Sequence, residues 1–184
     1  IWTEIECLIA EKQAMLGVIP KKASKEIRNK AKFNVREIEN IEKETKHDVV
    51  AYINNVSKYI GDSSKYFHFG VTSSDIIDTS FSVQLKQTSE IIRKSLVECI
   101  QSLKIKSKKY KDTLMIGRSH GIHAEPITFG LKLSSFYFEF KRNLERLDKA
   151  IDEISVCAIS GPVGTFNSID PRVQEYVAKK LKLN

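Results

Sequence analysis

The chain has 184 residues, of which 41% are hydrophobic and 29% are charged, and its formal net charge is +7. This composition excludes a disordered chain, and no apolar run reaches the roughly 18 residues that a membrane-spanning helix needs. The cysteines, Cys7, Cys99 and Cys157, are far apart and odd in number, so we expect neither a disulfide framework nor a thiolate metal site. Free thiols predict a cytoplasmic location, and we expect no secretory leader.

The first third of the chain predicts short helices. Asn34 and Glu37 have the spacing of a capping box that begins a helix running towards residue 44. A second helical pattern covers residues 47–60 and ends at a glycine, the residue that most often follows a helix. Because the chain opens at Ile1, without Met and inside a helical pattern, we expect a fragment of a longer protein.

Two long intervals without Gly or Pro, residues 71–116 and 131–160, predict the dominant helices. Apolar residues in the first interval recur with an eleven-residue period, about 3.67 residues per turn, which predicts a long and almost straight helix buried against more than one neighbour. Each helix is expected to have about 30 residues or more, or about 45 Å, as in elongated and often oligomeric bundles. The stripe of the first helix comprises Ile77, Phe81, Leu85, Thr88, Ile92, Leu96, Cys99 and Leu103.

Strand-like alternation is confined to short pieces such as Tyr66–Phe69 and Leu114–Ile116. Near the C-terminus, Asp170 followed by Pro171 predicts the N-cap and first residue of another helix. The sequence thus predicts an all-α protein.

Two polar segments precede predicted helices. Lys46, His47 and Asp48 enter the helix at residues 47–60, where they either cap an exposed helix or hold a phosphate or carboxylate. His68, Thr72 and Ser73 precede the longest helix. The hydroxyl groups there either cap the helix or present donors to anionic oxygens, and the histidine is either packed or a ligand.

The third polar segment lies between the two long helices and contains Ser119 and His120. An imidazole can move a proton near neutral pH, so His120 is the candidate for proton transfer. His123 follows three residues later, a spacing that binds metal on a helix, but the neighbouring Gly121 and Pro126 disfavour a helix and no third ligand is evident. We therefore expect no metal and no cofactor.

Five lysines crowd residues 104–111, beside a single aromatic residue, Tyr110. Cations at the negative pole of a helix end are the simple explanation. The alternative is a non-catalytic scaffold or nucleic-acid-binding module, which would rely on this run for phosphate contacts.

Four segments carry a resemblance to the adenylosuccinate lyases of the fumarase/aspartase superfamily. Thr72-Ser-Ser-Asp75 resembles their T-S-x-D segment, and Gly117-Arg-Ser-His-Gly-Ile-His-Ala-Glu-Pro126 resembles G-R-T-H-G-x-H-A-E-P. Lys46-His-Asp48 resembles R-H-D, and Gly161-Pro-Val-Gly-Thr165 resembles G-x-V-G-T. All four occur in the family's order and with its spacing, so the resemblance extends over essentially the whole chain.

The resemblance implies a long-helix bundle with a small N-terminal helical domain at residues 1–70 and the first part of the central bundle domain at residues 71–184. It implies a lyase that releases fumarate from adenylosuccinate, giving AMP, and from the succinylated aminoimidazole carboxamide ribotide. His120 would be the general acid, while Ser119, His68, Thr72 and Ser73 would bind carboxylates or phosphate. Lys46, His47 and Asp48 would line the nucleotide side.

The resemblance further implies a homotetramer in which each active site draws on three subunits, with no nucleic acid or membrane partner. Lys46 replaces the usual Arg, which exchanges a bidentate fork for a point charge. Nothing in the chain matches the family's flexible loop with the catalytic serine, so we expect this polypeptide alone to be inactive. Another lyase of the superfamily, an argininosuccinate lyase or aspartase, is the alternative enzyme.

Overall fold

The computed structural model describes residues 1–184 and divides them into two units, one of residues 1–84 and 155–184 and one of residues 85–154. The predicted domain boundary between residues 70 and 71 stays a prediction. The elements are α1 (Trp2–Met15), α2 (Lys21–Lys30), α3 (Val35–Thr45), α4 (Asp48–Ile60), a 3₁₀ helix (Gly61–Tyr66), α5 (Ser73–Lys109), β1 (Leu114–Ser119), β2 (Ile122–Thr128), α6 (Phe129–Ile154) and α7 (Pro171–Leu181). The all-α prediction is confirmed, apart from one small hairpin.

Helix α1 lies at the centre of the first unit because apolar residues cover two of its faces. One face, with Ile5 and Ile9, packs against Val173 and other residues of α7. The opposite face, with Cys7, packs against Tyr52 and its neighbours on α4. The polar residues that α1 places between these two apolar faces are therefore forced into the interior.

The predicted helix starts are confirmed by cap geometry. The Asn34 side chain accepts a hydrogen bond from the backbone N–H of Glu37 at 3.2 Å, at the start of α3. The Asp170 carboxylate accepts from the backbone N–H of Arg172 at 2.9 Å, with a proline as the first residue of α7. Helix α4 ends at Gly61, whose φ of 76° suits a residue without a Cβ.

Helix α6 is shorter than predicted, with 26 residues, and ends at Ile154. The next residues are not helical, and their backbone groups hydrogen-bond to the C-terminus and to side chains of other helices. Cys157 N–H donates to the Asn184 carbonyl at 3.0 Å, and Asn184 N–H donates to the Ser155 carbonyl at 2.7 Å. Ala158 N–H donates to the Thr79 hydroxyl at 3.2 Å. These hydrogen bonds occupy backbone N–H groups that would otherwise continue the hydrogen-bond pattern of α6.

The segment between the two long helices is a β-hairpin, of which the sequence indicated only one short strand-like piece. Strands β1 and β2 pair antiparallel from Leu114 opposite Thr128 to Ser119 opposite Ile122, with a bulge beside Gly117. The strand-like piece at 114–116 lies in β1, whereas Tyr66–Phe69 is no strand: the 3₁₀ helix ends there and a turn follows. Helix α5 ends at Lys109, so the lysine run does mark a helix end.

The apolar stripe of α5 is only partly buried, contrary to its predicted burial against several helices. Phe81 is 56% exposed and Ile92 is 52% exposed, while the buried face of α5 carries Ile76, Thr79 and Val83 instead. An Arg93–Asp148 ion pair at 2.7 Å connects α5 to α6 within the second unit. No helix is both long enough and apolar enough to cross a membrane.

Candidate active site

The segment Lys46-His47-Asp48 joins α3 to α4 in an exposed turn. Lys46 ends α3 with a left-handed backbone, φ 54°. His47 is the N-cap of α4, and its Nδ1 accepts from the backbone N–H of Val50 at 3.5 Å. The Asp48 carboxylate accepts from the backbone N–H of Val49 at 2.7 Å. The segment therefore caps the helix, and its three exposed side chains stay accessible to an anion at the positive helix end.

His68 lies in a tight turn with φ 60°, a conformation that is uncommon for residues other than glycine. Its Nδ1 lies 2.6 Å from Oε1 of Glu6, and its backbone N–H donates to Glu6 Oε2 at 3.2 Å. The Glu6 side chain is 1% exposed. Burial raises the pKa of the Glu6 carboxyl, and the hydrogen bonds from His68 oppose that rise. His68 is therefore paired with a buried carboxyl, and its own side chain is only 16% exposed.

The start of α5 is organised by the buried carboxylate of Asp75. Its Oδ2 accepts from the Thr72 backbone N–H at 2.9 Å, and its Oδ1 accepts from the backbone N–H of Ser160 at 2.9 Å and of Gly161 at 3.2 Å. Because Asp75 supplies the cap, no hydrogen bond within the chain engages the hydroxyls of Thr72 and Ser73. Those two hydroxyls stay available at a helix N-terminus, where donors and the dipole favour anions.

His120 lies at the tip of the hairpin. His120 and Gly121 form a two-residue turn with φ values of 52° and 76°, the pattern of a type I′ turn. The side chains of Ser119 and His120 are exposed. A non-glycine residue held at positive φ stores strain of the kind that recurs at functional sites.

The structure places Ser119 and His120 in the second unit and the other predicted site residues, 46–48, 68, 72 and 73, in the first. Within the first unit, α1 holds the turn that contains His68, and Asp75 holds the backbone of Thr72. No group of three or more His, Cys, Asp or Glu side chains has metal-binding geometry anywhere in residues 1–184.

Sequence reasoning missed two residues that support this site, Glu6 and Gln13 on α1. The Gln13 side chain donates to the Phe69 carbonyl at 2.7 Å, so both residues anchor the turn that carries His68. Their signal was available: each is a polar residue inside the apolar pattern of a helix, which implies a buried partner.

Together these features define a helical-bundle protein whose polar segments lie at two helix N-termini and at one hairpin tip. The family model described as "Lyase" matches residues 1–184, and the chain belongs to this lyase family.

Curated relatives with high sequence identity are adenylosuccinate lyases. The chain is 49% identical over 182 residues to the adenylosuccinate lyase of Bacillus subtilis, which covers 99% of this chain and 42% of that protein. It is 48% identical over 183 residues to the enzyme of Staphylococcus saprophyticus, covering 100% and 42%. It is 44% identical over 182 residues to that of Synechocystis sp., covering 99% and 42%. The chain thus spans less than half the length of these relatives.

Solved structures of similar fold include a fumarate lyase from Mesorhizobium sp. BNC1, with a TM-score of 0.90 and 29% identity over 100% of this chain and 45% of that one. The β-carboxy-cis,cis-muconate cycloisomerase of Acinetobacter calcoaceticus gives a TM-score of 0.91 and 27% identity, with coverage of 100% and 45%. The 3-carboxy-cis,cis-muconate lactonizing enzyme of Pseudomonas putida gives 0.92 and 25%, with coverage of 100% and 44%.

Proposed function

We propose that this chain is part of a lyase that eliminates fumarate from adenylosuccinate, giving AMP, and from the succinylated aminoimidazole carboxamide ribotide. The observation that carries the proposal is the identity of 44–49% to adenylosuccinate lyases across 99–100% of this chain. Those matches extend over the three polar segments that are proposed to meet the substrate, residues 46–48, 68–73 and 119–120. The solved neighbours, at 25–29% identity, support the fold of the wider family and not a rival substrate.

The reaction is a β-elimination. A base removes a proton from the carbon beside a carboxylate, the bond between carbon and nitrogen breaks, and an acid protonates the departing nitrogen. His120 is proposed as that acid, because the exposed hairpin turn leaves its ring free to approach a substrate. The base is not assigned to any residue of this chain.

The substrate is an anion with carboxylates and a phosphate, and the segments of the first unit suit such groups. Lys46 and His47 at the start of α4 are proposed for the nucleotide side, with Asp48. His68 and the free hydroxyls of Thr72 and Ser73 at the start of α5 are proposed for the succinyl carboxylates or the phosphate, together with Ser119. Hydrogen-bond donors directed at a developing negative charge are a major source of rate enhancement in such sites.

The proposal includes a homotetramer as the working assembly of the complete enzyme. Its support is apolar surface in the second unit, where Leu114 is 79%, Ile91 70% and Leu131 60% exposed. A cavity of about 550 Å³ between the hairpin and α6 adds to that surface, with Phe136 among its lining residues. Leu131 lines this cavity together with Phe136, and contiguous apolar surface of this kind marks protein–protein contacts. A cytoplasmic location, and the inactivity of the 184-residue chain by itself, stay predictions.

Fumarate release from adenylosuccinate by the complete protein, followed by ultraviolet absorbance, tests the function. His120→Ala is expected to lower kcat by roughly 10²- to 10⁴-fold, the usual contribution of a general acid or base. Added imidazole should restore part of that rate if the missing group is a proton donor. Lys111→Ala, an exposed change just before the hairpin, should leave kcat unchanged.

The outcomes separate the alternatives. Activity on argininosuccinate or aspartate in place of adenylosuccinate would assign another lyase of the family. A His120→Ala protein with full activity would remove His120 from the mechanism. Steeply salt-dependent binding of DNA or RNA, without any lyase activity, would favour the scaffold alternative. Sedimentation of the complete protein as a monomer would refute the tetramer.

A further inference from the structure

Glu6 is a buried carboxyl that the proposed chemistry does not use. Burying a carboxyl group is costly unless it is hydrogen-bonded, and Glu6 is 1% exposed. Both of its oxygens serve one residue: Oε1 is 2.6 Å from Nδ1 of His68, and Oε2 accepts from the backbone N–H of the same residue at 3.2 Å. Glu6 therefore contacts both the ring and the backbone of His68, and so restrains the orientation of that residue.

The turn around His68 is held by further side chains. Gln13 donates to the carbonyl oxygen of Phe69 at 2.7 Å, and the Ser168 hydroxyl donates to the carbonyl oxygen of Gly70 at 2.8 Å. Because three consecutive residues are each anchored, the left-handed backbone at His68, φ 60°, is fixed by its surroundings.

When Glu6 is ionised, this geometry selects one form of the imidazole. An ionised carboxylate only accepts hydrogen bonds, and the backbone N–H only donates. With Oε2 occupied by the backbone, Oε1 requires a proton on Nδ1. In the neutral ring the other nitrogen, Nε2, then carries the lone pair, whereas free imidazole in water favours the opposite arrangement. The other acid facing Glu6 is Asp75, and the neighbouring Cys7 and Tyr52 are both buried.

We propose that Glu6 is a positioning residue that holds His68 with its proton on Nδ1, so that Nε2 is the ring atom presented to the substrate. When the ring is protonated, Nε2–H donates to an anionic oxygen while Glu6 balances the ring charge. When the ring is neutral, Nε2 accepts a proton. The identity of the anion rests on the proposed function, but the form of the ring is a property of this chain alone.

The test is a long-range ¹H–¹⁵N NMR spectrum of the 184-residue chain at about pH 9, where ordinary imidazoles are neutral. The chain has four histidines, and His68→Gln assigns the signal of interest. The expected result is a protonated Nδ1 and an unprotonated Nε2 for His68. A wild-type spectrum with the proton on Nε2 would overturn the proposal, since Glu6 would then be donating to the ring.

Glu6→Gln sharpens the test. The glutamine amide has one acceptor oxygen where the carboxylate has two. The backbone N–H of His68, which can only donate, should bond to that oxygen. The amide NH₂ group then faces Nδ1, so the proton of the ring should move to Nε2. Glu4→Gln, a change of the same type at an exposed position of α1, should leave the His68 spectrum unchanged. An unchanged ring form in Glu6→Gln also contradicts the proposal.

Two further measurements separate the possible failures. Far-UV circular dichroism shows whether Glu6→Gln folds, and if it does not, the wild-type spectrum alone decides. In the complete enzyme, Glu6→Gln should raise KM for adenylosuccinate by more than it lowers kcat, because the proton donor His120 is untouched. Absence of lyase activity, with the proton of His68 found on Nδ1, would refute the proposed function and not the role of Glu6. Lyase activity with the proton found on Nε2 would refute only the role of Glu6.

Discussion

Asp75 is expected to be the residue of the T-S-x-D segment on which folding depends most. It is 3% exposed, and its carboxylate accepts from the backbone N–H groups of Thr72, Ser160 and Gly161 at 2.9–3.2 Å. It thereby fixes the start of α5 to a loop 85 residues further along the chain. The prediction is that Asp75→Ala strongly destabilises the first unit.

The size of the effect follows from how accessible each donor is. The N–H of Gly161 is buried, so losing its acceptor costs about 2–3 kcal/mol. The other two donors are partly buried and can recruit water, at about 1 kcal/mol each. Asp75→Ala should therefore lower the free energy of unfolding by about 4–5 kcal/mol, a large part of the 5–15 kcal/mol typical of a domain. Asp75→Asn keeps one acceptor oxygen and should lose about 2 kcal/mol.

Urea unfolding followed by tryptophan fluorescence measures this effect. Trp2 is the only tryptophan of the chain and belongs to the first unit, where its indole N–H donates to the Ser80 hydroxyl at 2.9 Å. With an m value of about 2 kcal/mol per M, Asp75→Ala should shift the midpoint by about 2 M. Asp78→Ala, an exposed acid on the same helix, should change stability by less than about 0.5 kcal/mol. Equal midpoints for the two variants would refute the reasoning.

Three further predictions concern glycine, cysteine and pH. Gly70→Ala should cost more stability in urea than Gly61→Ala. Both glycines have φ 76°, a backbone that costs other residues about 1–3 kcal/mol, but of the two only Gly70 would also place the new Cβ 2.5 Å from a backbone oxygen. The half-buried Cys99 should be alkylated first at pH 8, because burial raises the pKa of the thiols of Cys7 and Cys157 to about 11. At pH 8 only about one in a thousand of those two thiols is then a thiolate. Mass spectrometry at successive times gives the order of alkylation. Hydrogen bonds from Arg172 lower the pKa of Asp170 to about 2. The stability that the ionised Asp170 contributes is therefore present above about pH 4 and lost as pH falls towards 2. Asp170→Asn should make the melting temperature depend less steeply on pH over that range.

Much of the fold was predictable because helices are encoded locally. The caps at Asn34 and Asp170 and the long intervals without Gly or Pro place the helices close to where the structure has them. The same local reasoning failed for the hairpin. A two-residue turn needs positive φ at both His120 and Gly121, and the sequence presented only the glycine as an obvious candidate.

The polar segments were also recognisable from sequence, but the sequence did not show which of their residues caps a helix and which stays available to a ligand. The hydroxyls of Thr72 and Ser73 looked like possible caps, and only the packed structure assigns the cap to Asp75 and leaves the hydroxyls unengaged. The predicted burial of the α5 stripe was wrong for this chain for a related reason. A periodic apolar face indicates that one side of a helix packs against other apolar surface. It does not identify the element or the chain that provides that surface.

The sequence by itself determined the helices, their caps and the candidate groups for chemistry, because these depend on residues a few positions apart. Only the tertiary structure decided that Glu6 faces His68, 62 residues away, and that Asp75 holds the loop at Gly161. The physical reason is that a buried carboxylate must find donors wherever the fold brings them. Those partners come from distant segments, and no local spacing specifies them.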